Sequence, residues 1–280
     1  MFMEQTESVI GSKSFTAVAV NCASKAGEWI KSKIGNFAEP DLKQSMHDLV
    51  TEVDKGSERL IRNLIGTHFP HHSFLGEEGV EPGPEASVKA LQEVSEAEYL
   101  WIVDPVDGTT NYVHGFPFYS VSIALAHKGQ VIVGVVYDPS RDELFVAERG
   151  KGAYVHGKRM HVSNERTLRQ SLVATGFPAD YQAALPENLR QIQALAPQVR
   201  NLRIAGSAAL HMAYVAAGRL SGFWEIGLNA WDLAAGSLLV EEAGGKVTDQ
   251  SGAPYQLGVR NVTASNGFVH GELLEALAKA

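Results

Sequence analysis

YLWIVDPVDGTTN, residues 99–111, joins an apolar run to a polar segment holding Asp104, Asp107, Gly108, Thr109 and Thr110. Aromatic and β-branched residues that stop at Asp-Pro read as a buried strand, 99–103, running into a loop. Further strands are expected downstream at 119–127 (YSVSIALAH), 131–137 (VIVGVVY), 143–148 (ELFVAE) and 152–156 (GAYVH). Turn chemistry at Gly129-Gln130 and Asp138-Pro139 makes this set an antiparallel meander. Upstream, residues 15–36 read as an amphipathic helix with Val18, Cys22, Trp29, Ile30 and Ile34 on one face, closed by Gly35 and Asn36. A second helix is expected near 53–68, with Thr51 and Asp54 as a short capping box, Leu60, Ile61, Leu64 and Ile65 as its buried stripe, and Pro70 as its stop. Residues 79–98 are acidic and begin rich in Pro and Gly, as a surface excursion with a short helix would.

Beyond about residue 160 the rhythm changes. Strands expected near 171–175, 202–205, 219–225 and 262–265 alternate with helices near 186–196, 207–217, 231–243 and 270–279, an α/β pattern. The chain thus divides into an N-terminal α+β half, 1–160, and a C-terminal α/β half, 161–280, packed as one body.

Composition narrows the function. The 280 residues are 45% hydrophobic and 20% charged, ordinary for a globular protein with a substantial core. The formal charge of −8 argues against a nucleic-acid partner, which calls for a basic surface. It leaves room for an anionic substrate if metal ions supply the positive charge. Cys22 is the one cysteine, so no intramolecular disulfide can form, and a reducing cytoplasm is expected. The N-terminus, MFMEQTESVIGSKSF, has acidic residues and no apolar core of a signal peptide. No stretch reaches the roughly 20 apolar residues of a membrane span.

Asp104 and Asp107, three residues apart at a strand end, can point into one crevice. Pro105 fixes the backbone between them, and Gly108 lets the chain turn and present N–H groups to an anion. Oxygen ligands of this kind suit hard cations such as Mg2+. A lone D-P-x-D-G is an ordinary polar turn. Glu77 and Glu78 in Gly76–Gly79 would alone be a solvated corner. Asp232, opening the apolar helix LAAGSLLVEEAGG, would alone be a helix cap, as would Asp48 in HDLVTEVD. Together and in this order they point to metal-assisted chemistry. Other segments point elsewhere or nowhere. Residues 150–157 (GKGAYVHG) lack the Lys-Ser/Thr ending of a phosphate loop and read as a hairpin turn. Gly206-Ser207-Ala208 is not a nucleophile elbow. His71 and His72 read as surface histidines rather than zinc ligands, and His114 is left without a role.

The segments DLVT (48–51), GEE (76–78), WIVDPVDGTTN (101–111), GSAA (206–209) and WDLAAG (231–236) resemble the inositol monophosphatase family, from about residue 15 to the C-terminus. The resemblance implies a layered αβαβα sandwich of the sugar phosphatase type, mixed α+β and α/β, and a lithium-sensitive enzyme that is commonly a homodimer. It implies two or three Mg2+ ions. Glu77, Asp104 and the Val106 carbonyl would hold the first. Asp104, Asp107 and Asp232 would hold the second. Glu77 would touch a third, with Glu78 supporting it. Thr109 would orient the attacking water and Asp48 would hydrogen-bond Thr109, while Glu77 shares in catalysis through its ion. The Gly108 and Thr109 N–H groups would cradle the phosphate, with Asp107 and Asp232 beside it. Gly206, Ser207, Ala208 and Glu225 would line the alcohol pocket. The implied reaction is hydrolysis of a small phosphorylated metabolite, inositol-1-phosphate first. Fructose-1,6-bisphosphate, a phosphoadenosine nucleotide, histidinol phosphate or a dinucleotide phosphate stand as alternatives within the superfamily. A non-catalytic acidic module that binds Ca2+ or a protein is the alternative from another class. Thr109 and Asp48 argue against it, since a metal buffer has no use for a water-positioning hydroxyl.

Overall fold

The computed structural model describes residues 14–33, 41–42, 49–50, 52–177 and 181–280. In chain order these form α1 (Phe15–Ser32), β1 (Asp41–Leu42), β2 (Leu49–Val50), α2 (Glu52–His68), β3 (Ser73–Gly76), α3 (Pro84–Glu93), β4 (Tyr99–Asp107), α4 (Thr109–Val113), β5 (Ser120–His127), β6 (Gln130–Asp138), β7 (Glu143–Glu148), β8 (Gly152–Val155), β9 (Lys158–Arg159), β10 (Leu172–Thr175), α5 (Tyr181–Leu195), β11 (Asn201–Ile204), α6 (Ala208–Ala216), β12 (Gly222–Glu225), α7 (Ala230–Glu242), β13 (Lys246–Asp249), β14 (Val262–Ser265) and α8 (His270–Ala278). Two 3-10 turns, Glu77–Gly79 and Leu168–Gln170, complete the set.

Five layers result. α1 and α2 cover one face of a seven-stranded sheet ordered β3-β4-β5-β6-β7-β8-β9. Their contact is an apolar cluster that includes Val18, Cys22, Ile30, Ile61, Trp101, Ile123 and Val135. α6 and α7 pack between that sheet and a second, five-stranded one ordered β11-β10-β12-β14-β13, and the largest core runs through this middle layer. α5 and α8 close the far side over Val173, Trp224 and Leu273. Both middle helices are buried on nearly every side, which their sequences AALHMAYVA and AWDLAAGSLLVEE permit because small and apolar residues surround the axis.

The meander from β4 to β9 is antiparallel throughout, as expected, with β3 added parallel to β4. In the second sheet β10 pairs in parallel with β11 and β12, and β14 runs antiparallel to β12 and β13. β3, α4, β9 and β13 were not expected from the sequence. Nor was the length of β4, which continues past Val103 to Asp107. The extension contains a bulge: Asp104 opposes Ser122 and Asp107 opposes Ser120, so three steps on β4 match two on β5. In a regular strand residues i and i+3 face opposite sides. The extra residue turns Asp107 back to the side of Asp104.

The first helix begins where Ser14 accepts the Ala17 N–H (3.1 Å) and ends at Ser32, earlier than expected; Ile34, Gly35 and Asn36 lie outside the described residues. Thr51 and Asp48 also lie outside them, so the capping box is not described. Asp54 sits on the buried face of α2 with Ser57 and Glu58, while Leu60 and Leu64 are only half-buried. The buried stripe of α2 is therefore Val53, Ser57, Ile61 and Ile65, with a polar end turned toward β4, where Ser57 Oγ donates to the Pro105 carbonyl at 3.4 Å.

Candidate active site

The bulged end of β4 and the N-termini of α6 and α7 meet in one buried crevice. Oxygens of Asp104, Asp107 and Asp232 lie there within 4.8 Å of one another. Each carboxylate is held by its own backbone contacts. Asp104 Oδ1 accepts the Val106 N–H at 2.9 Å, a turn that the bulge makes possible. Asp107 receives most: Ser207 Oγ donates to its Oδ2 at 2.5 Å, the Ala209 N–H to the same oxygen at 2.8 Å, and the Ala208 N–H to Oδ1 at 3.3 Å. Ser207 is also the N-cap of α6, accepting from the Leu210 N–H at 3.3 Å. Asp232 is not the N-cap of α7 but its third residue, reaching back so that Oδ2 accepts the Asn229 N–H at 2.6 Å.

Three buried acids in contact resist sharing negative charge. Asp104 is pushed well above the usual carboxylate range by burial first, then by Glu77, Asp107 and Asp232. Asp232 is raised by burial and by Asp107, with the Asn229 N–H and Arg260 opposing. Asp107 is also raised by burial, and the hydrogen bonds from Ser207, Ala209, Ala208 and Ser120 hold the rise in check. A cation placed among the three would reverse the penalty. The donor set is wholly oxygen and the acids are buried, so the residues fit a hard metal ion.

Around the acids the chain is closely fitted. Gly108 and Gly206 both have left-handed backbones, φ +95° and +83°. A Cβ on Gly108 would lie 3.0 Å from the Gly206 carbonyl, so the two loops touch backbone to backbone. Asn111 ties them, donating from Nδ2 to the Phe118 and Ala205 carbonyls at 2.6 Å each. The motif contained Asn111, but only the distant Ala205 gives it a job. Thr109, the first residue of α4, donates its hydroxyl to the Val106 carbonyl at 3.0 Å. Glu77 opens the 3-10 turn after β3, and its charge acts on Asp104. Glu225 ends β12, almost fully buried, and is pushed well above the ordinary range by burial, Asp232 and Asp107. It packs against bare backbone: a Cβ on Gly176 would stand 2.5 Å from its carboxyl carbon.

Several expected site residues are thus brought together: Asp104, Val106, Asp107, Gly108, Thr109, Gly206, Ser207, Ala208 and Asp232, with Glu77 and Glu225 in electrostatic reach. Asp48 lies outside the described residues. The other segments weighed in the sequence stand apart. Gly150 and Gly152 flank a hairpin turn, and their N–H groups donate to the Glu242 carboxylate at 2.7 and 2.8 Å. His71 and His114 are exposed. His72 is not a surface residue: it stacks between Phe69 and Tyr99 and accepts from Trp101 Nε1 at 3.1 Å. Missed by the sequence reading were Ala209, Ser120, Gly176, and Asn229 with Arg260, which donates to the Asn229 amide oxygen at 2.6 Å. The signal for Ala209 was available, since an Asp facing the first turn of a helix recruits successive N–H groups.

The model of the inositol monophosphatase family matches residues 12–280. The chain belongs to the inositol monophosphatase family. Inositol monophosphatase 2 of Solanum lycopersicum is 43% identical over 95% of this chain and 98% of its own. A Pseudomonas aeruginosa protein named Nus factor SuhB is 42% identical over 89% and 90%. Among solved structures, the extragenic suppressor protein suhB of Bartonella henselae superposes with a TM-score of 0.84 at 40% identity, covering 94% of this chain and 98% of that one. The IMPase of Thermotoga maritima gives 0.83 at 35%, covering 94% and 96%. The five-layer arrangement is therefore the family's, and the chain is a phosphatase of that superfamily. Its acidic crevice is a cluster that could hold metal. No helix among the described residues is long and apolar enough to cross a membrane.

Proposed function

We propose that the chain hydrolyses a small phosphate monoester, inositol-1-phosphate first, with Mg2+ held by Glu77, Asp104, the Val106 carbonyl, Asp107 and Asp232. The observation that carries this reading is the convergence of three buried carboxylates beside Thr109 and Glu225. When bound, Mg2+ supplies charge neutralisation at the phosphoryl oxygens and a water of lowered pKa. The protein's share is positioning, which dominates catalysis of phosphoryl transfer.

Thr109 fits its part. Its proton is committed to the Val106 carbonyl, so its oxygen is left to accept from a water and aim that water's lone pair at phosphorus. Asp48 would support Thr109. The Gly108 and Thr109 N–H groups would take the phosphate. Ser207 and Ala208 act on Asp107 and so shape the pocket indirectly, while Gly206 and Glu225 face the alcohol. Glu225 suits a hydroxyl-rich leaving group because a buried carboxyl can accept from two neighbouring hydroxyls. Lithium inhibition at the Asp107 and Asp232 position, a homodimer, a cytoplasmic setting and a division of the chain near residue 160 belong to the same reading. A panel of phosphomonoesters ranked by kcat/KM tests the substrate. Inositol-1-phosphate should lead, and a nucleotide or bisphosphate in first place would replace it.

A further inference from the structure

The turn that carries Glu77 lacks a cap of its own. Gly76 is the N-cap of the 3-10 turn Glu77–Gly79 and has no side chain to accept from it. A capping side chain normally accepts the N–H of the second or third residue. Here that bond is made from another element. Glu58, two turns into α2, is 5% exposed, and its Oε2 accepts the Glu78 N–H at 2.8 Å. Its Oε1 accepts from Arg62 Nη2 at 2.9 Å, and the Arg62 guanidinium lies 4.0 Å over the Phe74 ring in β3. Gly76 is bare for the same reason: a Cβ there would stand 2.5 Å from the Glu58 carboxyl carbon and 2.7 Å from Phe74.

A buried carboxylate close to a cluster of acids is unfavourable unless it is paired and hydrogen-bonded. Glu58 is both, through Arg62 and the Glu78 N–H. Neither bond reaches the substrate crevice, and both fix the turn from which Glu77 acts on Asp104. We infer that Glu58 is a positioning residue for metal binding, a cap supplied by α2 that sets where Glu77 stands. The inference rests on the Mg2+ reading above. It assigns Glu58 no contact with metal or substrate.

The test is Mg2+ binding to the full chain without substrate, followed by calorimetry, with thermal unfolding in EDTA as the measure of fold. Removing a group that orients a metal ligand typically weakens the metal 10- to 100-fold, so Glu58→Ala should fall in that range. Glu58→Gln keeps an oxygen for the Glu78 N–H and should stay within about threefold of wild type. Gly76→Ala, which drives the same carboxylate aside, should weaken Mg2+ like Glu58→Ala and serves if that variant does not fold. Ile61→Val, one turn along the same helix, should lower the unfolding temperature and leave Mg2+ affinity unchanged. Wild-type affinity in both Glu58→Ala and Gly76→Ala, or an equal loss in Ile61→Val, overturns the inference while leaving the phosphatase reading standing. No Mg2+ binding by the wild type overturns both.

Discussion

Ser207 does two jobs that one substitution series can separate. It caps α6 through the Leu210 N–H and donates to Asp107. Ser207→Ala removes both. Loss of an N-cap costs about 1 kcal/mol, and loss of a hydrogen bond to a charged group costs about 1.5–3 kcal/mol. Ser207→Ala should therefore destabilise the chain by roughly 2–4 kcal/mol in urea. Ser207→Gly loses the Asp107 bond equally, but glycine at an N-cap costs only a few tenths. It should recover about 0.5–1 kcal/mol, and that difference is the cap. Mg2+ affinity should behave otherwise. Both variants leave Asp107 without its hydroxyl donor and should bind Mg2+ about tenfold or more weakly, by equal factors. Ser207→Thr keeps the hydroxyl and should restore both properties. The assays are urea unfolding in EDTA and calorimetric titration with Mg2+. If the variants lose stability while their Mg2+ affinity stays at wild type, Ser207 is a helix cap alone, and its bond to Asp107 has no bearing on the metal.

Asp104→Asn, which alters an acid at the centre of the cluster, should lower kcat far more than Glu225→Gln, which should act mainly on KM or substrate ranking; steady-state kinetics decide, and the reverse order would misplace the site. Thr109→Ala should stay folded and bind Mg2+ while losing about 10²–10⁴-fold in single-turnover phosphate release. Asp48→Asn should lose less, and the double variant little more than Thr109→Ala, as for residues that act as one unit. His211 is fully buried between the Phe118 and Phe223 rings, and burial pushes its pKa down from 6.5 to about 3. Its unfolded form takes up a proton that the folded form refuses, so stability present above pH 6.5 should be lost as the pH falls toward 3. The loss should reach on the order of 4 kcal/mol. His211→Leu should flatten that slope in urea unfolding at pH 7 and pH 4.5, and an unchanged slope would assign the acid sensitivity elsewhere.

Much of this arrangement was legible before any coordinates. The meander from residue 99 to 155 announced itself because its strands are apolar or alternating and its turns hold Gly, Asp and Pro. The helices near 207–217 and 231–243 did so because they are apolar over more than two turns. What the chain concealed was non-local. The bulge that brings Asp107 round to Asp104 depends on its register with Ser120 and Ser122, which no local pattern encodes. β13 is a four-residue strand, KVTD, whose place comes from pairing with β14. Asp232 looked like a cap and is one, but its second role needs β4 beside it. Glu58 looked like a solvated helix charge, because nothing in SERLIR shows that its partner is an N–H twenty residues away. The order of the layers came with the family resemblance rather than from periodicity.

The central claim is that the acids gathered around Asp104 take up Mg2+ and that hydrolysis depends on it. The most direct measurement is inorganic phosphate released from inositol-1-phosphate by EDTA-treated protein, before and after Mg2+ is restored, with Ca2+ as the comparison ion. The account predicts no release in chelator, full recovery with Mg2+, and poor recovery with Ca2+, which favours looser and more crowded coordination. Full turnover in EDTA would contradict it.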